Sequence, residues 1–239
     1  MALPPTTLAR IAGLIYLFCI GCGLFATSVR ASVFVPGDAA TTADNIRASA
    51  TLYRLSFFAD LITAVPYLVL VMLLYLLLRH VSQLAAAAMV VFLAVQAVNT
   101  LNLLNQYTAL TIATGDAYHR GLGQAGADAL TLLFTDVHHH GYRLGAAYFG
   151  AWLVPLGYLV IKSGYFPRVL GVLLIIGCFG YLAVQALTFL APTAPEGLIT
   201  VFIAVGGFPE ILFMGWLLVR GVRLPYPGWP ALAPATPSR

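Results

Sequence analysis

LITAVPYLVLVMLLYLLLR, residues 61–79, decides the architecture: eighteen residues pass without a charge before Arg79 ends the run. A helix needs roughly 20 apolar residues to cross a hydrocarbon core about 30 Å thick, and this stretch, taken from residue 54, supplies them. The same ruler laid along the rest of the chain predicts six spans, at 9–29, 54–79, 83–112, 139–162, 168–190 and 198–220. In the first, the apolar run from Ile11 to Val29 is too long for a signal peptide and only Arg10 precedes it, so it reads as a retained helix.

Composition agrees. Of 239 residues 61% are hydrophobic and only 8% charged, and the mean hydropathy is +0.92. A water-soluble domain carries about a quarter charged residues, and disorder requires low hydrophobicity with high net charge, so both classes are excluded. The formal charge of +4 comes from only 12 scattered Lys and Arg, which is no nucleic-acid footprint. Cys19, Cys22 and Cys178 lie inside apolar runs, an odd number that forms no disulfide framework. Cys19-x-x-Cys22 sits mid-helix without the strand-to-helix context of a redox motif, and reads as packing.

Orientation follows the excess of Lys and Arg on the cytoplasmic side. With the N-terminus inside, seven cations face the cytoplasm (Arg10, Arg79, Lys162, Arg168, Arg220, Arg223, Arg239) and five face out (Arg30, Arg47, Arg54, Arg120, Arg143). Both termini are then cytoplasmic. The second, fourth and sixth spans end alike, as Tyr75…Arg79, Tyr158…Lys162 and Trp216…Arg220, each an interfacial aromatic followed by a snorkelling cation. This marks either a helix-hairpin repeat or convergence of separate helices on one interface.

The connections are lopsided. His80-Val81-Ser82 and residues 163–167 are tight turns, whereas the outer connections, 30–53 and 113–138, are long and hold five of the eight acids. Long connections carry function more often than short ones. In the first, Gly37-Asp38 predicts a turn, with Thr41 then capping a helix and Asp44 at its third position. Continued into the second span, that helix would have about 38 residues and a length of roughly 57 Å, with Pro66 as a kink. Residues 224–239, with Pro225, Pro227, Pro230, Pro234 and Pro237, read as a flexible cytoplasmic tail beyond a 1–223 membrane domain.

Charged side chains at membrane depth are functional candidates by default. Asp60 and Arg143 each lie fifteen residues from their anchors Tyr75 and Tyr158, about 22 Å along parallel helices. They are therefore expected to pair in the outer half of the membrane. Asn99 and Gln185, seventeen residues beyond Ser82 and Arg168, fall near the same layer. Gln96, Asn99, Asn102 and Gln106 share a helix face, as do Tyr53, Ser56, Asp60 and Tyr67. Such stripes cannot face lipid, and predict a polar chamber opening outward. Two readings stand: polar bonds that fix helix packing, or a pocket for a polar solute or lipid headgroup lined by Asp60, Asn99, Asn102, Arg143 and Gln185.

Glu210 is only six residues from Trp216, about 9 Å from that anchor, and so is expected to stand apart from this layer. The preceding Gly206-Gly207-Phe208-Pro209 predicts a broken helix, and a carboxylate beside a break suits proton or cation coupling, or else is protonated or bonded to a neighbouring hydroxyl. Asp136, His139 and His140 raise a metal reading, with His138 and His119 nearby. Adjacent histidines on a helix point about 100° apart, however, and a metal needs three or four converging ligands, so these histidines read as helix-capping instead. No nucleophile elbow, phosphate loop or zinc motif is present.

Phe149-Gly150…Gly157-Tyr158-Leu159…Lys162-Ser163-Gly164-Tyr165-Phe166-Pro167-Arg168-Val169-Leu170-Gly171…Gly180-Tyr181, together with Gly37-Asp38…Thr42…Asn45-Ile46 and Glu210…Trp216-Leu217-Leu218, resembles the bacterial multi-pass membrane family catalogued as domain of unknown function 4386. The resemblance implies a six-helix protein of the bacterial inner membrane. It brings no assigned reaction and no functional residues.

The expected fold class is therefore an all-α membrane bundle of six helices. Three functions remain open: a protein that binds or transports a small polar solute or lipid, an accessory subunit of a larger membrane complex, and a metal-dependent intramembrane enzyme. Expected partners are membrane lipids and other membrane-protein subunits, not nucleic acid, and no cofactor is implied.

Overall fold

In hydrocarbon, backbone groups have no water to bond to and must bond within their own segment, so the apolar runs become helices. The computed structural model describes residues 3–191 and 193–223, without the side chains of residues 96–98. The Pro-rich tail read from residues 224–239 lies outside the described residues, as does the side chain of Gln96. Among the described residues the elements are all helical: α1 (Pro5–Val33), α2 (Ala39–Ala48), α3 (Ala50–Leu78), α4 (Gln83–Gln96), a 3-10 stretch (Ala97–Asn102), α5 (Leu103–Thr114), α6 (Asp116–Ala151), α7 (Leu153–Ser163), α8 (Arg168–Leu190) and α9 (Glu196–Val219). Six helices or helix runs are long and apolar enough to cross a membrane: 5–33, 50–78, 83–114, 116–163, 168–190 and 196–219.

The six spans form a ring in chain order. Each packs on its sequence neighbours, and α9 returns to α1. One end of the ring carries the tight turns at 79–82 and 164–167; the other carries α2 and the α5–α6 corner. We call these the short-turn end and the long-connection end.

Glycines set the closest crossings. A Cβ on Gly157 would lie 2.5 Å from the Gly171 carbonyl oxygen, and one on Gly171 would lie 2.5 Å from that of Gly157. The α7 and α8 backbones are therefore in direct contact, as small-residue packing in lipid requires. Gly180 is likewise pressed on α9, where an added Cβ would sit 2.7 Å from the Gly206 nitrogen.

Apolar burial is split into two layers. The larger fills the short-turn half, around Tyr16, Leu74, Met89, Trp152, Leu174 and Phe213. A smaller one at the long-connection end joins Val29, Val33, Ile46, Tyr53, Leu110 and Ala113. The space between them is the cavity described below.

The long-connection end differs most from the sequence expectations. Residues 116–137 are helix, not loop. Their buried residues are Ala127, Asp128, Thr131 and Thr135, small or polar enough to hide from a search for apolar runs. Thr131 and Thr135 satisfy themselves on the carbonyls of Ala127 and Thr131. Gly123, at φ 73°, breaks the run near its start, a conformation that glycine adopts without steric cost.

The cap of α2 is Asp38, not Thr41: its Oδ1 accepts from the Thr41 amide at 2.9 Å and its Oδ2 from the Thr41 hydroxyl at 2.7 Å. An aspartate at that position reaches the third amide of the helix, which is what capping requires. Asp44 instead accepts from Arg47 at 2.6 Å, while the other Arg47 nitrogen reaches Asp128 on α6 at 2.8 Å. Between α2 and α3, Ser49 leaves the helical region, so the expected 38-residue helix is two helices. The expected break at 206–209 is absent: α9 runs through Pro209.

Two measurements check this packing. Gly171→Ala should lower thermal stability by about 1–3 kcal/mol, as overpacking does, because a carbonyl cannot yield to the new methyl. Gly21→Ala, whose Cβ would meet no atom within 4 Å, should be neutral or slightly stabilising. The Thr41 hydrogen bonds hold the Asp38 carboxyl below its ordinary value, the amide bond first and the hydroxyl second. Its cap is thus complete above the ordinary aspartate range and is lost as pH falls through the lowered value. Amide exchange at Thr41 should accelerate in that acid window, and Asp38→Asn should flatten the response.

Candidate functional site

Between the two apolar layers lies a cavity of about 520 Å³, with lining residues from all six spans. Its wall is chiefly aliphatic and aromatic, with charged groups at two levels, so it is less polar than the stripes alone imply.

At the level nearer the long-connection end is an ion pair. Asp60 on α3 accepts from Arg30 on α1, and both side chains are 12% exposed. The Arg30 guanidinium also lies 4.7 Å from the Tyr142 ring centroid and donates to Thr27 at 3.2 Å. The pairing expected from the sequence, Asp60 with Arg143, is not formed. Arg143 faces the same cavity but donates to Thr188 on α8 at 3.1 Å. The physical reason is helix length and neighbourhood. α1 continues to Val33, so Arg30 belongs to the helix and not to a loop, and α1 packs directly along α3.

The remaining sequence candidates divide. Asn99 reaches the cavity. Asn102 does not: its amide donates to the His138 carbonyl at 2.8 Å, and the His138 ring faces the Asn102 carbonyl at 3.1 Å. Gln185 donates to the Arg143 carbonyl. Gln106, buried, donates to Ser56 at 2.9 Å and so ties α5 to α3. The polar stripe on the third span thus turns through the 3-10 stretch, with Asn99 at the cavity and Asn102 and Gln106 in the walls.

Glu210 belongs to the same cavity, contrary to the expectation that it stands apart. It lies at the level nearer the short-turn end, 3% exposed, and accepts hydrogen bonds from Tyr16 of α1 and from Tyr181 of α8, the latter at 2.7 Å. Tyr67, Phe149 and Tyr181 stand around this region, with Tyr67 edge-on to Phe149 at 5.6 Å and Phe149 edge-on to Tyr181 at 6.0 Å between centroids. Arg30, Tyr16, Tyr142 and Tyr181 were not among the sequence candidates. The available signal was that Tyr16 and Tyr181 sit mid-span, away from the interfaces where tyrosine usually anchors, and a phenol at that depth needs a polar partner.

His138 and His139 both border the cavity, and His140 does not. His138 is engaged with Asn102, His139 lies 5.1 Å from the Phe34 ring, and His140 bonds to the Asp136 carbonyl at 2.9 Å and neighbours Phe189. Among the described residues no three His, Cys, Asp or Glu side chains converge as a metal would require. Cys19 and Cys22 are free thiols, and Cys19 borders the cavity.

A charge-reversal cycle tests the ion pair. Arg30→Asp and Asp60→Arg should each lower yield and melting temperature in detergent, and the double reversal should recover about 1–3 kcal/mol of coupling. The corresponding cycle on Asp60 and Arg143 should recover none. Melting curves of the purified variants decide between the two partners.

No solved structure matches the chain. An uncharacterized protein of Archaeoglobus fulgidus is 40% identical over 81 residues, covering 34% of this chain and 46% of that protein, so the match spans less than half of the relative's length. The family model described as a domain of unknown function, DUF4386, matches residues 11–221, which takes in every span and both levels of charge in the cavity. The chain belongs to the DUF4386 family.

Proposed function

We propose that this is a protein of the bacterial inner membrane, with both termini in the cytoplasm, that binds a small molecule bearing a charged or polar head and moves it or presents it. The observation that carries the reading is the cavity itself: about 520 Å³, built by six spans, with charged groups at two depths. Ligand pockets fall in the range of about 300–1,000 Å³ and combine an apolar wall with a few placed polar groups. In this reading Asp60, Asn99, Arg143 and Glu210 face the ligand. Asn102 and Gln185 hold the walls, and the Arg30–Asp60 pair exchanges part of its bonding with the ligand's head. The competing accessory-subunit reading draws on Asn102 and Gln185, whose bonds run from helix to helix backbone as packing bonds do.

Thermal stability of the purified protein in detergent tests the proposal against a panel of short zwitterions, organic ammonium ions, fatty acids and phospholipids. A ligand at about a hundredfold excess over its Kd stabilises by roughly 2.7 kcal/mol, which for a chain of this size is a rise of about 5–10 °C. At least one class should produce that rise, and Arg143→Gln or Glu210→Gln should reduce it. No rise with any class would leave the polar groups as packing bonds and overturn the proposal.

A further inference from the structure

The route into the cavity is legible from where its wall is incomplete. α1 and α9 run antiparallel and meet in their halves toward the short-turn end. There Gly13 presses on Leu217 and Leu218, Thr6 touches Gly221, and Tyr16 bonds to Glu210. Beyond Tyr16 the same face of α1 continues as Ile20, Leu24, Thr27 and Ala31, and all four border the cavity. Leu24 is nonetheless 61% exposed, and on α9 Ile203, about level with it, and Ile211, beside Glu210, also border the cavity and are 50% and 45% exposed. A side chain that lines an internal space and is open to the exterior marks the rim of an opening.

Glycines keep the opening wide. A Cβ on Gly23 would meet no atom within 4 Å, and one on Gly207 would meet only the Tyr181 hydroxyl, at 3.8 Å. These two glycines border the cavity without serving a close helix crossing. Two other directions are covered. The larger apolar layer fills the short-turn side, and the smaller layer with α2 lies over the α3–α5–α6 side of the long-connection end.

We propose that the cavity takes an amphiphile with a hydrocarbon tail, which passes sideways from the membrane through the α1–α9 slit and sets an anionic head on Arg143. This rests on the reading that the cavity is a ligand site, and adds the class of ligand and its path. The rim is aliphatic, and a slit in the flank of a membrane bundle at this depth opens on acyl chains instead of water. Within the cavity Asp60 is neutralised by Arg30, whereas Arg143 bonds to the neutral Thr188 and to no carboxylate among the described residues. A carboxylate or phosphate head would supply the charge-assisted bonds that Arg143 lacks, while the tail lies against Leu24, Ile203 and Ile211.

The test is native mass spectrometry of the purified full chain with four probes: oleate, dioleoyl phosphatidylglycerol, the tail-free glycerol 3-phosphate and the uncharged monoolein. The wild type is expected to retain one oleate or one phosphatidylglycerol, and which of the two it retains names the source of the anionic head. Gly23→Leu combined with Gly207→Leu should reduce that occupancy by about tenfold or more, a loss of at least 1.4 kcal/mol. Gly21→Leu, on the same helix but with its Cβ in open space away from the cavity, should leave it unchanged. Arg143→Gln should erase the preference for the anionic probes over monoolein.

Should the double glycine variant not fold, the slit can be blocked after folding. Leu24→Cys in a background with Cys19, Cys22 and Cys178 replaced by Ala, labelled with a bulky maleimide, should lose oleate or phosphatidylglycerol relative to the unlabelled protein. Glycerol 3-phosphate bound as well as the tailed probes, or tailed probes retained equally when the slit is filled, would overturn the lateral path while leaving the cavity as a ligand site. A wild type that carries no probe but forms a dimer abolished by filling the slit would also overturn it, showing that a second copy covers the gap. Absence of any thermal response to the broader panel above is the separate result that removes the cavity reading itself.

Discussion

A carboxylate at mid-depth in a helical bundle has no bulk water to solvate it and must be satisfied by side chains. Glu210 is satisfied by two phenols brought from other helices, Tyr16 of α1 and Tyr181 of α8. That three-helix tie is where the molecule changes character. On the short-turn side of it, α1, α8 and α9 pack tightly, with glycine crossings and a continuous apolar layer. On the other side, α1 and α9 leave the slit between Leu24 and Ile203, and the cavity begins. Removing the tie would free the point from which both the floor of the cavity and the mouth of the slit take their geometry.

The polar groups of the interior fall into two kinds by what they bond to. Asn102, Gln106 and Gln185 spend their bonds on backbone carbonyls or on the Ser56 hydroxyl of a neighbouring helix, which fixes helix rotation and leaves little for a ligand. Asp60, Arg30, Arg143 and Glu210 bond side chain to side chain at the cavity wall. A side-chain partner can be exchanged for a ligand more easily than a helix backbone can be moved. The packing bonds and the proposed pocket therefore draw on different residues.

Much of the fold was legible in the sequence, and the site was legible in part. Uncharged runs as long as residues 61–78 located the spans, and the shared aromatic–cation endings aligned them. The helix over 116–137 was missed because its buried residues are Ala127, Asp128, Thr131 and Thr135, which are small or polar and form no apolar run. Arg30 was missed because a cation at the edge of an apolar run looks like the start of a loop, although α1 continues for three more residues. Glu210 was set apart from the Asp60 layer by its axial position, yet a cavity of this size spans both levels.

What the sequence determined by itself was six runs long and apolar enough to cross a membrane and the position of each polar group along its own helix, because each helical residue adds a fixed rise of about 1.5 Å. What only the tertiary structure decided was which groups share a face of the bundle and meet. Asp60 joins Arg30 and not Arg143, Glu210 joins two tyrosines, and the gap falls between α1 and α9. Height is a property of one helix and its own residues. Partnership depends on how each helix is rotated and which neighbour it packs against, and those are set by close contacts such as Gly157 on Gly171, between residues on different helices.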